Sequence, residues 1–225
     1  MDGKFVPNIS FGMPVVKAIR KSTDKLFDTH LMIEEPIRYV LDFKNAGADL
    51  LTVHVEACED VQATIDAIHS AGMKVGLACN PETPVEDIVP YIDKVEMILI
   101  MTVHPGFGGQ SYIDECTEKI EIVSAIVEEY NFNTLIQVDG GITVDNVAIP
   151  ITAGANVIVA GSAVYKGNVE ENVKSFKEQF EKIKKLSRYI GERTEAKIKE
   201  IYDEFYKNIS ITCTVTYNDG TTESK

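Results

Sequence analysis

Residues 134–142 read Thr134-Leu135-Ile136-Gln137-Val138-Asp139-Gly140-Gly141-Ile142, and residues 156–163 read Asn156-Val157-Ile158-Val159-Ala160-Gly161-Ser162-Ala163. Each is a short β-branched run that ends in a glycine turn. Runs of this length, apolar on both faces, suit strands buried from both sides in a parallel sheet. Two successive glycine turns after consecutive strands let backbone N–H groups approach an anion closely, and β/α barrels hold phosphate at that place. Asp139 would then stand at a strand mouth beside the anion, positioned for proton transfer or metal ligation. The plain alternative is a turn-forming Asp-Gly pair.

The same rhythm extends back through the chain. Strand-like runs at Leu26–Met32, Leu50–Glu56, Lys74–Cys79, Val95–Val103, Thr134–Val138 and Asn156–Ala160 alternate with helical patterns. The helical patterns are Met13–Lys21, Ile37–Ala46, Val61–Ala71, Val85–Tyr91, Ile113–Glu129 and Val144–Thr152. Six strands, each followed by a helix, imply a parallel sheet with right-handed crossovers. Gly47, Gly72 and Gly154 each fall just past a helical pattern, where a left-handed residue caps the helix and turns the chain into the next strand. Pro14, Pro36 and Pro84 fit helix first turns. A closed barrel and a doubly wound open sheet share this local pattern.

Composition narrows the class. The chain has 225 residues, 44% apolar, with a net charge of −13. That suits one large domain and argues against disordered, collagen-like and coiled-coil classes. Nothing concentrates Lys and Arg for phosphate backbones, so nucleic acid is not an expected partner. Met97 to Val103 is the longest clean apolar run, far short of the ~20 residues of a spanning helix. No signal peptide is read at Met1-Asp2-Gly3-Lys4, and Cys58, Cys79, Cys116 and Cys213 form no C-x-x-C pair, so reduced thiols and a cytoplasmic location are expected. Composition shifts near residue 187: residues 1–187 read as the β/α domain and 188–225 as an extension. Within it, Thr194–Lys207 reads as a helix and Ile209–Tyr217 as an edge strand before an Asn218-Asp219-Gly220 turn.

Three further clusters fall at strand ends. In Asp28-Thr29-His30-Leu31-Met32, Asp28 and His30 share a strand face. In Thr52-Val53-His54-Val55-Glu56, His54 and Glu56 do the same, as a metal-ligating pattern or a hydrogen-bonded structural pair. His104-Pro105-Gly106-Phe107-Gly108-Gly109-Gln110 carries three glycines in four positions, which fits an anion cradle, a moving lid or a simple flexible loop.

Taken together, these segments, with Met101-Thr102-Val103 and the opening Met1-Asp2-Gly3-Lys4-Phe5-Val6-Pro7-Asn8, resemble the ribulose-phosphate 3-epimerase family over roughly residues 1–185. The resemblance implies a TIM (β/α)8 barrel that interconverts D-ribulose 5-phosphate and D-xylulose 5-phosphate. It implies one divalent metal, Fe2+ or Zn2+ with Mn2+ or Co2+ as alternatives, and assembly into a homo-oligomer. By motif, His30 would be a metal ligand that also contacts substrate, and Asp139 both a ligand and an acid–base residue. Gly106, Phe107, Gly108, Gly109, Gly140, Gly141, Gly161 and Ser162 would bind substrate, mostly its phosphate. Met32 and Met101 would line the reacting centre. His54 is not a metal ligand in the family.

The family pattern has a strand ending His-x-Asp before the matching Met-Asp-Gly, and a substrate-binding Ser on an earlier strand. Read this way, the first two strands and first helix of the barrel lie outside these residues, leaving two of four metal ligands and one of two catalytic aspartates. The expectation is an incomplete barrel with little or no epimerase activity of its own. The alternatives are allulose 6-phosphate as substrate, or a remnant that binds sugar phosphates without turnover.

Overall fold

In the computed structural model, which describes residues 1–186 and the strand segments 214–216 and 222–224, the apolar runs become six parallel strands. They are β1 (Asp28–Leu31), β2 (Leu50–His54), β3 (Lys74–Cys79), β4 (Met97–Met101), β5 (Leu135–Asp139) and β6 (Val157–Val159). Their order in the sheet is their order in the chain. A doubly wound sheet reverses its strand order at a switch point; this sheet has no reversal, which removes that alternative.

The sheet is strongly curled. In a flat sheet, β1 and β5 would lie four strand spacings apart, about 19 Å. Instead, Gln137 Nε2 on β5 donates to Asp28 Oδ2 on β1 at 3.0 Å. The result is a half-barrel with β1 and β6 at its edges. Leu51, Val53, Val75, Leu77, Ile98, Ile100, Ile136 and Val138 are buried on its convex face. The alternate positions line the interior, as a period of two requires.

The helices are α1 (Met13–Arg20), α2 (Val40–Ala46), α3 (Val61–Ser70), α4 (Cys116–Glu129), α5 (Ala148–Thr152) and α6 (Ser162–Tyr165), and residues 169–186 are also helical. Pro14 sits in the first turn of α1, and Asp60 caps α3 by accepting the Ala63 N–H at 2.9 Å. Gly47, at φ +105°, closes α2 where an added Cβ would lie 2.6 Å from the Arg20 side chain.

Several helix readings are corrected. Val85–Tyr91 is not an α-helix but part of two 3-10 turns, Val85–Asp87 and Val89–Lys94. Pro90 would lie past the first turn of an α-helix starting at Val85, where it removes a ladder donor; it stands instead in the first turn of Val89–Lys94. Pro84 therefore precedes a 3-10 turn, and Pro36 likewise opens the 3-10 turn Pro36–Tyr39 ahead of α2. The segment read as helical from Val144 becomes α-helix only at Ala148. Before it, the Asn146 side chain accepts the Thr143 N–H and donates to the Gly141 carbonyl, holding a turn in place of a helix start.

The chain divides into two compact units, Met1–Phe176 and Lys177–Lys225, a boundary earlier than the compositional shift. In the second unit, β7 (Thr214–Thr216) pairs antiparallel with β8 (Thr222–Ser224), so the strand read at 209–217 has its partner within a hairpin. The helix read at 194–207 lies outside the described residues. Among those residues, no helix is long and apolar enough to cross a membrane.

Candidate active site

Inside the curl, polar side chains form two steps along the strands. In the lower step Asp28 accepts the Thr52 hydroxyl at 2.9 Å and the Gln137 amide at 3.0 Å. Two residues further along each strand come His30, His54 and Asp139. The Nε2 atoms of His30 and His54 lie 2.8 Å apart. The ring planes are within 19° and the centroids 4.9 Å apart, the N···N distance plus about two ring radii, so the rings meet edge to edge. His54 Nδ1 faces Glu56 Oε2 at 3.2 Å, and His30 Nδ1 lies 3.8 Å from Asp139 Oδ2.

Burial dominates the electrostatics here. His54 is fully buried, which pushes its pKa down to about 4 and keeps the ring neutral at neutral pH. Burial alone would raise the Glu56 pKa, but hydrogen bonds from His54, the Asn80 N–H and the Thr83 hydroxyl outweigh it and hold the carboxyl below its usual range. The Asp2 carboxylate accepts the N–H groups of Lys4, Phe5 and Glu34, each at 2.9 Å, and so ties the opening loop to the segment after β1.

A cavity of about 230 Å³ opens above these steps. Met32 packs against Ala78, Leu99, Met101 and Val103 to form its apolar floor. Asp139, Gly140 and Gly141 form one wall, Gly161 and Ser162 another, and Gly106 to Gly109 a third. Phe107, 59% exposed, stands at the rim. His30 lines the adjoining groove, which shares Met1 and Met32 with the cavity. The structure thus places every site residue expected from the sequence except His30 on one cavity, and His30 on the adjoining groove, 3.8 Å from Asp139.

The glycine turns differ in what they require. Gly141 has φ +66°, and an added Cβ would lie 2.2 Å from the Tyr112 nitrogen; at Gly140, φ +128°, it would lie 2.4 Å from the Val103 side chain. Thr102 locks this turn by donating its hydroxyl to the Gly140 carbonyl at 2.6 Å. By contrast, a Cβ at Gly108, Gly109 or Gly161 would meet nothing within 4 Å. The 105–110 loop is braced rather than free: Asn8 donates to the Gly106 carbonyl at 3.0 Å, and the Gln110 amide to the carbonyls of His104 and Phe107 at 2.7 and 2.9 Å. Asn8 and Gln110 lie inside quoted motifs, yet nothing local marks their bracing role. The His54–Glu56 pair is hydrogen-bonded as one of the two sequence readings has it, although Glu56 lies in the 3-10 turn Val55–Ala57 just past β2 and not on the strand; the link on to His30 had no local signal.

His30 Nδ1 and Asp139 Oδ2 are the atoms that could hold a cation. Among the described residues, no group of three or more His, Cys, Asp or Glu side chains forms a metal cluster.

Comparison with known proteins agrees with this geometry. Residues 1–165 match the model of the ribulose-phosphate 3 epimerase family. The chain is 49% identical over 166 residues to the ribulose-phosphate 3-epimerase of Bacillus subtilis, covering 73% of this chain and 76% of that one. It is 45% identical over 176 residues to that of Schizosaccharomyces pombe, covering 77% and 75%. Crystal structures of a 3-hexulose-6-phosphate synthase and a Vibrio cholerae 3-keto-L-gulonate-6-phosphate decarboxylase share the fold, with TM-scores of 0.58 and 0.60. Their identities are 20% and 16%, and the overlap covers 75% and 76% of this chain and 80% of each of theirs. The chain belongs to the ribulose-phosphate 3-epimerase family.

Proposed function

We propose that the cavity takes D-ribulose 5-phosphate and that the chain is an epimerase, interconverting it with D-xylulose 5-phosphate by moving the C3 proton. The observation that carries this reading is Asp139 standing beside His30 at the mouth shared with two glycine turns. Open space at Gly108, Gly109 and Gly161 suits close approach of phosphate oxygens to backbone N–H groups. With the phosphate there, the sugar lies over Met32 and Met101, and C3 faces Asp139. The half-barrel is then six strands of a (β/α)8 barrel, a reading supported by the sequential strand order.

Asp139 takes the C3 proton as the C3–H bond breaks. The electron pair forms a C2–C3 double bond, and the ketone oxygen becomes anionic. Return of the proton from Asp139 to the same face regenerates the substrate; a proton delivered to the opposite face by water from the cavity mouth gives the epimer, and Asp139 then releases its proton to solvent. The apolar floor of Met32, Met101 and Val103 limits water at the reacting carbon.

His30 and Asp139 would hold a divalent cation, because 3.8 Å is a span two ligands of one zinc-sized ion can share at bond lengths of about 2.0–2.2 Å. When bound, such an ion supplies positive charge beside the oxyanion that forms.

The test is incubation of the full chain, zinc or iron(II), and ribulose 5-phosphate in deuterium oxide, followed by proton NMR. Deuterium at C3 of recovered ribulose reports proton removal, and xylulose 5-phosphate reports inversion; both are expected, in place of the little or no activity that the motif pattern implied, with allulose 6-phosphate reacting more slowly in parallel. Undeuterated ribulose with no xylulose would overturn the reading. Asp139 is the single carboxylate lining the cavity among the described residues, which favours a second reading, proton exchange without inversion. Its signature is deuterated ribulose with no xylulose.

A further inference from the structure

Both ring nitrogens of the fully buried His54 are engaged. Nδ1 faces Glu56 Oε2, and a carboxylate only accepts, so Nδ1 carries a hydrogen. A neutral imidazole carries one hydrogen, so Nε2 is a lone pair. His30 Nε2, 2.8 Å away, must therefore donate to it. The hydrogen of neutral His30 is then on Nε2, and its Nδ1 is a bare lone pair facing Asp139 Oδ2 at 3.8 Å. Two acceptors facing one another gain nothing without a positive group between them.

The far end of this chain is anchored. Glu56 Oε1 accepts the Asn80 backbone N–H at 2.7 Å and the Thr83 hydroxyl, so the carboxylate is not free to turn away from His54. The Phe5 ring, tilted at 4.7 Å from the His54 ring, covers the imidazole.

We infer that Glu56 and His54 are positioning residues that set the tautomer of His30 and present its Nδ1 to a divalent cation shared with Asp139. The cation belongs to the function proposed above, whereas the tautomer assignment stands on hydrogen bonding alone. Partners of this kind are typically worth about 10–100-fold in metal affinity.

The test begins with long-range proton–nitrogen NMR of the full chain after chelator treatment, above the ordinary imidazole titration range. The expected pattern is hydrogen on Nε2 of His30 and on Nδ1 of His54. Glu56→Gln keeps the shape but reverses the polarity. Its amide oxygen stays with the Asn80 N–H, so its NH2 donates to His54 Nδ1 and the hydrogen of each histidine moves to the other nitrogen. Zinc affinity, read by competition with a chromophoric chelator, is expected to fall about 10–100-fold in that variant.

Hydrogen on Nδ1 of His30 in the wild-type chain overturns the inference, and this spectrum decides even if the variant fails to fold. A reversed pattern with unchanged zinc affinity also overturns it. The expected tautomer in a chain that binds no zinc overturns the presenting role and the cation reading together, while substrate deuteration tests Asp139 separately.

Discussion

Gln137 on β5 donates its side-chain amide to Asp28 on β1 at 3.0 Å, bridging the interior of the curled sheet from its first strand to its fifth. Asp28 is half-buried, and its two oxygens are held by Gln137 and Thr52. Gln137→Leu removes one donor to a carboxylate and is expected to cost about 1.5–3 kcal/mol in urea unfolding. A change within about 0.5 kcal/mol would mean that this bridge does not hold the curl.

Stability should fall on the acid side because of His54. Its folded-state pKa is depressed from 6.5 to about 4 by burial. Between those values the unfolded chain binds a proton that the folded chain does not, so unfolding becomes easier as pH falls through that window. The expected loss is about 3 kcal/mol, at about 1.4 kcal/mol per pKa unit. Urea midpoints of chelator-treated protein at a series of pH values measure it. His54→Phe should flatten the slope between pH 6.5 and 4.

Gly141 and Gly108 should respond oppositely to the same substitution. Gly141→Ala forces a Cβ to 2.2 Å from the Tyr112 nitrogen at φ +66°, and is expected to destabilise by about 1–3 kcal/mol. Gly108→Ala meets nothing within 4 Å, so thermal unfolding should hardly change. Weaker binding of inorganic phosphate in Gly108→Ala, with stability intact, would place the anion at that loop.

Asp139→Asn keeps the shape of the site and removes the base. Deuterium entry at C3 of ribulose 5-phosphate is expected to slow by about 10²–10⁴-fold. Binding of inorganic phosphate, measured calorimetrically, should stay within a few-fold of the wild-type chain. Unimpaired exchange would assign proton removal to another group.

The strands were legible because β-branched runs and their periodicity are carried by neighbouring residues, as were the helix ends at Gly47, Gly72 and Gly154, all with positive φ. Asp139 with Gly140 and Gly141 could be read as a site for the same reason: a strand mouth followed by a tight turn is local chemistry. The helix expected at Val85–Tyr91 was misread against a local signal, Pro90, that a helix interior does not tolerate. What no local pattern could carry was the curl. It accumulates over strand twists and brings together Asp28 and Gln137, 109 residues apart, and His30 with Asp139. The sequence alone therefore determined the strands, their parallel alternation with helical segments and the residues able to do chemistry. Only the tertiary structure decided between an open sheet and a half-barrel. It also showed that Glu56, His54 and His30 form one hydrogen-bonded line, because that line crosses strands whose spacing and facing are set by the whole sheet.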